Sequence, residues 1–197
     1  MRKLLFSFLS FSVIAFTACN NNDSESNDHH ISPTNDPIDV IKVNTPENEA
    51  ANASVKEVID SYLEVKGALS KDQADNSSAS ALALVEALED FDVSTLTEEE
   101  VVTYNDFAQV AKDIANQIYQ EEENITNQRN LFIELSLNFE GFIKNFGTGG
   151  QALYKDYCPM VNDDTGAAWF SEVENIENPY FGASMFACGV IQEKYEE

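Results

Sequence analysis

Sulfur-bearing side chains near the C-terminus are the groups in this sequence best suited to binding chemistry. Beyond residue 19, the 197-residue chain holds two cysteines and two methionines, and each methionine lies within three residues of a cysteine. Cys158 and Met160 form one cluster, and Met185 and Cys188 form the other. Thiolates and thioethers are soft ligands that prefer Cu(I) to Mg²⁺ or Ca²⁺. These four residues are therefore a candidate metal site, with Cu(I) as the cofactor.

The two cysteines also fit a structural interpretation. An even pair of cysteines in an exported protein is typical of a cross-link, and the methionines would then be core fillers. A disulfide between Cys158 and Cys188 would close a loop of about 30 residues and stabilise the fold by about 3–4 kcal/mol. At the level of sequence, a metal site, a disulfide and two separate buried thiols all stay open.

Other catalytic chemistry is poorly supported. Both histidines, His29 and His30, lie in a polar stretch near the N-terminus, so a downstream domain has no imidazole for a Ser-His-Asp triad, a Cys-His pair or a histidine-built zinc site. The chain has 11 basic and 35 acidic residues, a net charge of −24, which argues against a nucleic-acid partner. We expect a binding protein and not an enzyme.

The first 18 residues have the organisation of an export signal. Arg2 and Lys3 precede an apolar run that ends at Thr17-Ala18-Cys19. Residues 16–19 resemble the cleavage box of bacterial lipoproteins, in which the cysteine becomes the lipidated first residue, so we expect palmitate on Cys19. Ordinary signal cleavage that leaves Cys19 as a spare thiol is the alternative. Removal of residues 1–18 takes away two basic residues and no acidic one, so the net charge falls from −24 to −26.

Residues 19–50 are predicted to be the lipidated cysteine and a flexible tether, because they are rich in Asn, Asp and Ser and carry three prolines. Within this stretch, a few β-branched residues fit a short strand: Ile38, Val40, Ile41 and Val43.

Four helical patterns then follow, and they must position the sulfur clusters. Apolar residues recur at three- and four-residue steps over residues 55–69, 81–91, 101–118 and 131–146. Ser70 and Thr97 each begin a sequence with capping-box spacing, and Asn124 or Thr126 is expected to cap the fourth helix. Four apolar stripes joined by short loops favour an antiparallel four-helix bundle, so the predicted fold class is mainly all-α.

Residues 151–191 change character, because aromatic and turn residues become dense and the helical period fades. We expect an irregular, cysteine-linked aromatic cap on the bundle, within one domain of residues 51–191. The turn residues at 178–182 are predicted to bring the second sulfur cluster back beside the first. Residues 192–197 are predicted to be an acidic tail.

Several C-terminal motifs resemble the signature of an uncharacterised exported domain. The motifs are Tyr157-Cys158-Pro159-Met160, residues 166–171, residues 176–182 and Met185-Phe186-Ala187-Cys188-Gly189. That domain of unknown function is known from Gram-negative bacterial lipoproteins and from fusions to the periplasmic adaptor subunits of copper/silver efflux pumps. The resemblance covers about residues 54–191. Asp163-Asp164-Thr165 and Glu177 depart from its usual, less acidic pattern.

The resemblance implies structural roles for the motif residues beside the sulfurs: Pro159, Trp169, Asn178, Pro179, Tyr180, Phe181, Gly182 and Gly189. It also implies heavy-metal handling. We therefore expect a lipid-anchored accessory protein of copper homeostasis, on the periplasmic side or the surface of a Gram-negative outer membrane, whose partner is a metal-efflux or other envelope protein. The alternative is a structural or protein-interaction lipoprotein whose Cys158–Cys188 pair is a stabilising disulfide.

Overall fold

The computed structural model describes residues 37–43 and 48–197. The predicted export signal, Cys19, the two histidines and most of the predicted tether lie outside the described residues. Within them the chain is mainly helical, with a small four-stranded sheet built largely from its C-terminal part.

Four long helices follow the order predicted from the apolar periodicity. They are α1 (Glu49–Ser70), α2 (Ala74–Glu89), α3 (Glu98–Gln120) and α4 (Ile125–Phe146). Thr97 and Glu100 form the predicted capping box of α3, and Asn124 caps α4 by accepting from the Asn127 N–H. The capping box predicted at Ser70 is wrong, because Ser70 is the last residue of α1 and α2 begins only at Ala74.

The predicted apolar stripes pack together in a core rich in aromatic rings. Tyr62 stacks on Phe139 with ring centroids 4.2 Å apart, and Phe107 stacks on Phe142 at 4.5 Å. Each long helix packs on the next one along the chain, and α1 also contacts α4. The helical part therefore buries its stripes against one another, as their periodicity predicts.

The C-terminal segment is not the irregular cap that was predicted. It forms β2 (Leu153–Cys158), β3 (Ala167–Ser171) and β4 (Val190–Glu196), joined in one sheet by β1 (Asp39–Lys42) in the order β1-β4-β2-β3. β2 pairs antiparallel with both β3 and β4, and β1 runs parallel to β4. The sequence does not predict this sheet, because β4 carries charged residues and has no apolar alternation. The extended conformation of β4 depends on its pairing with β1 on one side and β2 on the other.

The predicted acidic tail and the predicted tether each contain residues that form a strand. Residues 192–197 were predicted to be an acidic tail, but β4 runs to Glu196, and Tyr195 is fully buried. Residues 39–42, within the predicted tether, form β1, which matches the short strand predicted from Ile38 to Val43. The acidic side chains of β4 are tolerated because Lys42 and Lys194 bind Glu196 and Lys155 lies near Glu193.

The edge strand β3 connects the sheet to the helices through hydrogen bonds. Tyr62 on α1 accepts a hydrogen bond from the Phe170 N–H at 3.1 Å, and its hydroxyl also bonds to Ser136 on α4 at 2.8 Å. Over residues 37–43 and 48–197, none of the helices combines the length and the apolar character needed to cross a membrane.

Candidate functional site

Three of the four predicted sulfur ligands come together at the end of β2. Cys158 is the last residue of β2, and Met160 follows it in the turn towards β3. The Cys188 thiol lies 4.0 Å from the Met160 sulfur and in hydrogen-bond contact with the Cys158 thiol. The predicted return of the chain therefore takes place, and it places Cys188 beside the first sulfur cluster.

The fourth predicted ligand, Met185, is placed differently. Its backbone carbonyl accepts the Cys188 N–H at 3.0 Å. In the described part of the chain, no hydrogen bond joins the Met185 sulfur to either thiol. The structure thus unites Cys158, Met160 and Cys188 and leaves Met185 as a turn residue next to them.

The three residues of the sulfur cluster differ in solvent exposure. Cys158 is fully buried, Cys188 is half-buried and Met160 is half exposed. Both cysteines are free thiols, and burial together with the neighbouring Cys158 thiol raises the pKa of Cys188 to about 11. Met160 lines a groove of about 810 Å³ between α4 and the turn at residues 160–164. Of the three residues in the sulfur cluster, Met160 is the one that lines this groove.

No group of three or more His, Cys, Asp or Glu side chains suited to a metal ion occurs within residues 37–43 and 48–197. The sulfur cluster holds two cysteines, and its third donor is a thioether. The arrangement is suited to a soft, thiophilic ion and not to Ca²⁺ or Mg²⁺, which need oxygen ligands.

We call residues 172–189 the clasp segment. It connects β3 to β4 and contains Cys188. Asn178 organises it: its side-chain oxygen accepts the N–H groups of Tyr180 and Phe181, and its amide donates to the Cys188 carbonyl at 2.7 Å. Tyr180 donates its hydroxyl proton to the Ala168 carbonyl at 2.6 Å. Two of the motif residues therefore position the backbone of Cys188 relative to the sheet.

Gly182 and Gly189 allow neighbouring side chains to approach the backbone closely. Gly182 has φ +54°, and a Cβ there would collide with the Asp72 carboxylate and the Arg129 guanidinium, which bind each other at 2.6 Å. Gly189 has φ +149°, and a Cβ there would meet the Trp169 ring. The remaining motif residues serve packing or anchoring: Trp169 is fully buried, Phe181 is partly buried, Pro159 is half-buried, and the Pro179 carbonyl accepts from Arg129.

A buried charge cluster lies on the same sheet face as Cys158. Side chains alternate along a strand, so Asp156 and Cys158 share a face of β2, and Asp156 is paired in register with Trp169 of β3. Lys66 of α1 is fully buried beside this face and binds Glu172 at 3.0 Å and Glu177 at 3.2 Å. One ammonium group from the helices thus holds two carboxylates of the clasp segment.

Asp156 is the least satisfied member of this cluster. It is fully buried, and neither carboxylate oxygen has a hydrogen-bond partner; the Trp169 indole N–H is also unpaired. Burial raises the pKa of Asp156 to about 8; the charge of Lys66 opposes the shift, whereas the charges of Glu172 and Glu177 add to it. Asp156 is therefore mostly protonated at neutral pH.

The apolar periodicity does not predict this charge cluster, although the sequence of α1 contains one signal for it. Lys66 lies on the apolar stripe of α1, between Tyr62 and Leu69, where a solvated charge is not expected. A lysine on a buried helix face needs acidic partners, but the sequence could not say which of 35 acidic residues supply them.

Comparison with known proteins gives one match. Residues 58–151 match the family model described as "Protein of unknown function (DUF3347)". This match supports a domain of unknown function. No curated protein and no solved structure matches the chain.

The DUF3347 match covers most of α1, the other three long helices and the loop before β2. It includes Lys66 and Tyr62, which connect the helices to the sheet. Both sulfur clusters and the clasp segment lie beyond its C-terminal limit. The similarity thus concerns the helical scaffold, and the candidate sulfur site is argued from its own geometry.

Proposed function

We propose that this protein is a non-catalytic envelope lipoprotein that binds Cu(I) through Cys158, Met160 and Cys188, with Met185 as a fourth ligand. The observation that carries the proposal is the convergence of three sulfur atoms from two segments 28 residues apart in sequence. The donor set contains no imidazole or carboxylate, which favours a soft monovalent ion.

Binding at this site is coupled to proton release. Metal ions bind thiolates, so Cu(I) must displace the proton of Cys188, whose pKa is about 11. Below that pKa, each displaced proton makes the apparent affinity rise by up to about tenfold per pH unit. Cu(I) uptake should accordingly lower the pH of a weakly buffered solution.

The remaining parts of the proposal follow from the sequence. Cys19 carries the lipid that holds the protein on a Gram-negative membrane, because anionic headgroups repel a mature chain of net charge −26 and attachment must then come from acyl chains. The four long helices form an antiparallel up-down bundle that supports the sulfur site. The partner is a metal-efflux or other envelope protein that exchanges copper with it.

The test is a titration of the reduced mature chain with Cu(I), in competition with a Cu(I) chelator and without oxygen. We expect one equivalent to bind. C158S and C188S should abolish binding, and M160L should weaken it. If Met185 is a fourth ligand, M185L should weaken Cu(I) binding. If Met185 is only a turn residue, M185L should leave Cu(I) binding unchanged.

Controls keep metal binding apart from folding. Far-UV circular dichroism of each metal-free variant reports whether the helices persist, and Ca²⁺ serves as the hard-ion control. Uptake by the double variant C158S/C188S equal to that of the wild-type chain would overturn the proposal, as would an absence of high-affinity uptake by a folded, reduced chain.

A second function is favoured by the contact between the two thiols. Adjacent thiols in an exported protein can be oxidised to a disulfide, and the protein would then be a structural or protein-interaction lipoprotein without a metal role. Protein purified from its native envelope under non-reducing conditions decides between the two. A mass lower by two hydrogens, localised to the Cys158 and Cys188 peptides, supports the structural role, and two free thiols support the metal role.

A further inference from the structure

A groove with an apolar interior lies beside the sulfur cluster. It has a volume of about 810 Å³ and runs between the first half of α4 and the turn at residues 160–164. Met160, which is half exposed, lines the groove, and its sulfur lies 4.0 Å from the Cys188 thiol. Four other apolar or aromatic lining residues are buried or partly buried and form the floor: Ile133, Val161, Tyr180 and Phe181. A molecule seated in the groove would therefore contact a proposed copper ligand.

The rim of this groove is acidic. Glu134 of α4 and Asp163 and Asp164 of the turn line it, and all three residues are exposed. In the described part of the chain, none of the three takes part in an ion pair. Arg129 is the cation among the lining residues, and its guanidinium binds Asp72 at 2.6 Å. The groove therefore combines an apolar floor with a negatively charged rim.

The turn holds its two carboxylates on an unusual backbone. Asn162, Asp163 and Asp164 are three successive residues with φ of 55°, 53° and 62°. Residues other than glycine rarely adopt this left-handed conformation, which persists only where the surrounding structure holds it. Here the Gly166 N–H closes the turn by donating to the Val161 carbonyl at 2.8 Å. The backbone of both aspartates is therefore preorganised, which lowers the entropic cost of binding a partner.

Charge decides which occupant fits the groove. A second copy of the chain is disfavoured, because residues 19–197 carry a net charge of −26 and two copies repel each other. Residues 19–36 of the same chain are disfavoured for the same reason, since they contain four acidic residues and no lysine or arginine. A segment of another protein with basic residues on both sides of an apolar one matches both the rim and the floor.

We propose that this groove is the docking surface for the protein that exchanges copper with the chain, and that this partner presents a basic segment with an apolar anchor. The basic side chains pair with Glu134, Asp163 and Asp164, and the anchor packs on the floor beside Met160. The partner is thereby placed against the half-exposed thioether of the sulfur cluster. That the partner carries copper rests on the proposed function, whereas the docking surface and the charge of its occupant do not.

The experiment titrates the metal-free, reduced mature chain with a synthetic peptide, capped at both ends, in which a single leucine is flanked by lysines. The matched peptide carries glutamates in place of the lysines. Binding is followed at low ionic strength by NMR of ¹³C-labelled methionine methyl groups, because residues 19–197 contain two methionines, Met160 and Met185. We expect the lysine peptide to bind and to shift the Met160 signal but not the Met185 signal. The glutamate peptide should not bind.

Two double variants assign the binding to the groove. D163N/D164N removes two charges from the rim and keeps the turn, because asparagine adopts the left-handed conformation as readily as aspartate. It should weaken binding of the lysine peptide by about fivefold. E98Q/E99Q is the matched control: it removes the same charge from exposed residues at the start of α3, beside the end of α4 away from the groove. Its affinity should change by about twofold or less. Far-UV circular dichroism checks that both variants are folded.

Equal losses of affinity in the two double variants would overturn the docking surface, because binding would then depend on net charge alone. Binding of the lysine peptide without a shift of the Met160 signal would also overturn it, as would a folded chain that binds neither peptide. Sedimentation velocity tests the other occupant: a dimer that D163N/D164N alters would show that a second copy covers the groove, against the proposal. Peptide binding in the groove by a chain that takes up no Cu(I) would refute the proposed function and leave the docking surface intact.

Discussion

Tyr62 and Lys66 are one helical turn apart on α1, and both reach the sheet. Tyr62 uses a neutral hydroxyl, since burial raises its pKa well above the usual value, and Lys66 uses a charge. Polar groups of this kind are tolerated in a core only when they are paired. These two side chains therefore specify how the helices and the sheet fit together, in addition to contributing stability.

We expect Y62F to lower the free energy of unfolding by about 1–3 kcal/mol, because it leaves the buried Phe170 N–H without an acceptor. Urea unfolding followed by circular dichroism measures the change. The matched control is Y119F on the exposed side of α3, which should stay within about 0.5 kcal/mol of wild type. Equal losses in the two variants would contradict the role assigned to the Tyr62 hydroxyl.

At the scale of elements, the clasp segment is the least regular part of the domain and the most dependent on side-chain hydrogen bonds. Its only helical element is one 3-10 turn at Gly182–Ser184, and its backbone hydrogen bonds are confined to local turns over residues 178–188. Asn178 and Arg129 supply further hydrogen bonds to its backbone through their side chains. Segments that lack regular secondary structure open locally before the whole domain unfolds. The position of Cys188 should therefore be sensitive to single substitutions.

We expect N178A to increase the alkylation rate of Cys188, resolved by peptide mass, by about tenfold or more, because three hydrogen bonds of about 1 kcal/mol each are lost. N175A is the matched control, because Asn175 is an exposed asparagine of the same segment. The helical circular dichroism signal should stay unchanged in both variants. Equal alkylation rates would show that Asn178 does not position Cys188.

The helices and the sheet differ in how far the sequence predicts them. The apolar stripes and the Thr97 capping box are local patterns, so the order of α1 to α4 could be predicted, although α1 begins six residues before the first apolar residue of its stripe. β4 could not, because its sequence looks like an acidic tail until β1 and β2 pair with it. Strand pairing is a long-range property, and β1 and β4 are about 150 residues apart.

At the scale of the whole molecule, the dominant property is negative charge. The whole sequence has a net charge of −24, and residues 19–197 have a net charge of −26. Several of the ion pairs lie at the surface, where each contributes little, so they do not cancel the repulsion among the many acidic side chains. Charge of this magnitude keeps a protein soluble but destabilises its compact state.

We therefore expect the melting temperature of the mature chain to rise by several degrees as NaCl increases from about 0.01 M to about 0.3 M, because the Debye length falls from about 30 Å to below 10 Å. Differential scanning calorimetry measures the shift. MgCl₂ at the same ionic strength is the control: an equal shift indicates screening, and a larger one indicates specific binding of the divalent ion. A melting temperature that falls with salt would contradict the expectation.

The amino-acid sequence is sufficient to predict the helices, the lack of histidine after residue 30, the sulfur-only soft donor set and the return of the chain at Asn178. These properties depend on residue type and on spacing over a few turns, which local physical chemistry controls. The tertiary structure alone shows that Cys158, Met160 and Cys188 are in contact, that the acidic C-terminus is a strand, and that Lys66 is buried close enough to Asp156 to affect its pKa. Those outcomes depend on strand register and burial, which bring together residues 90 positions apart and which no local pattern records.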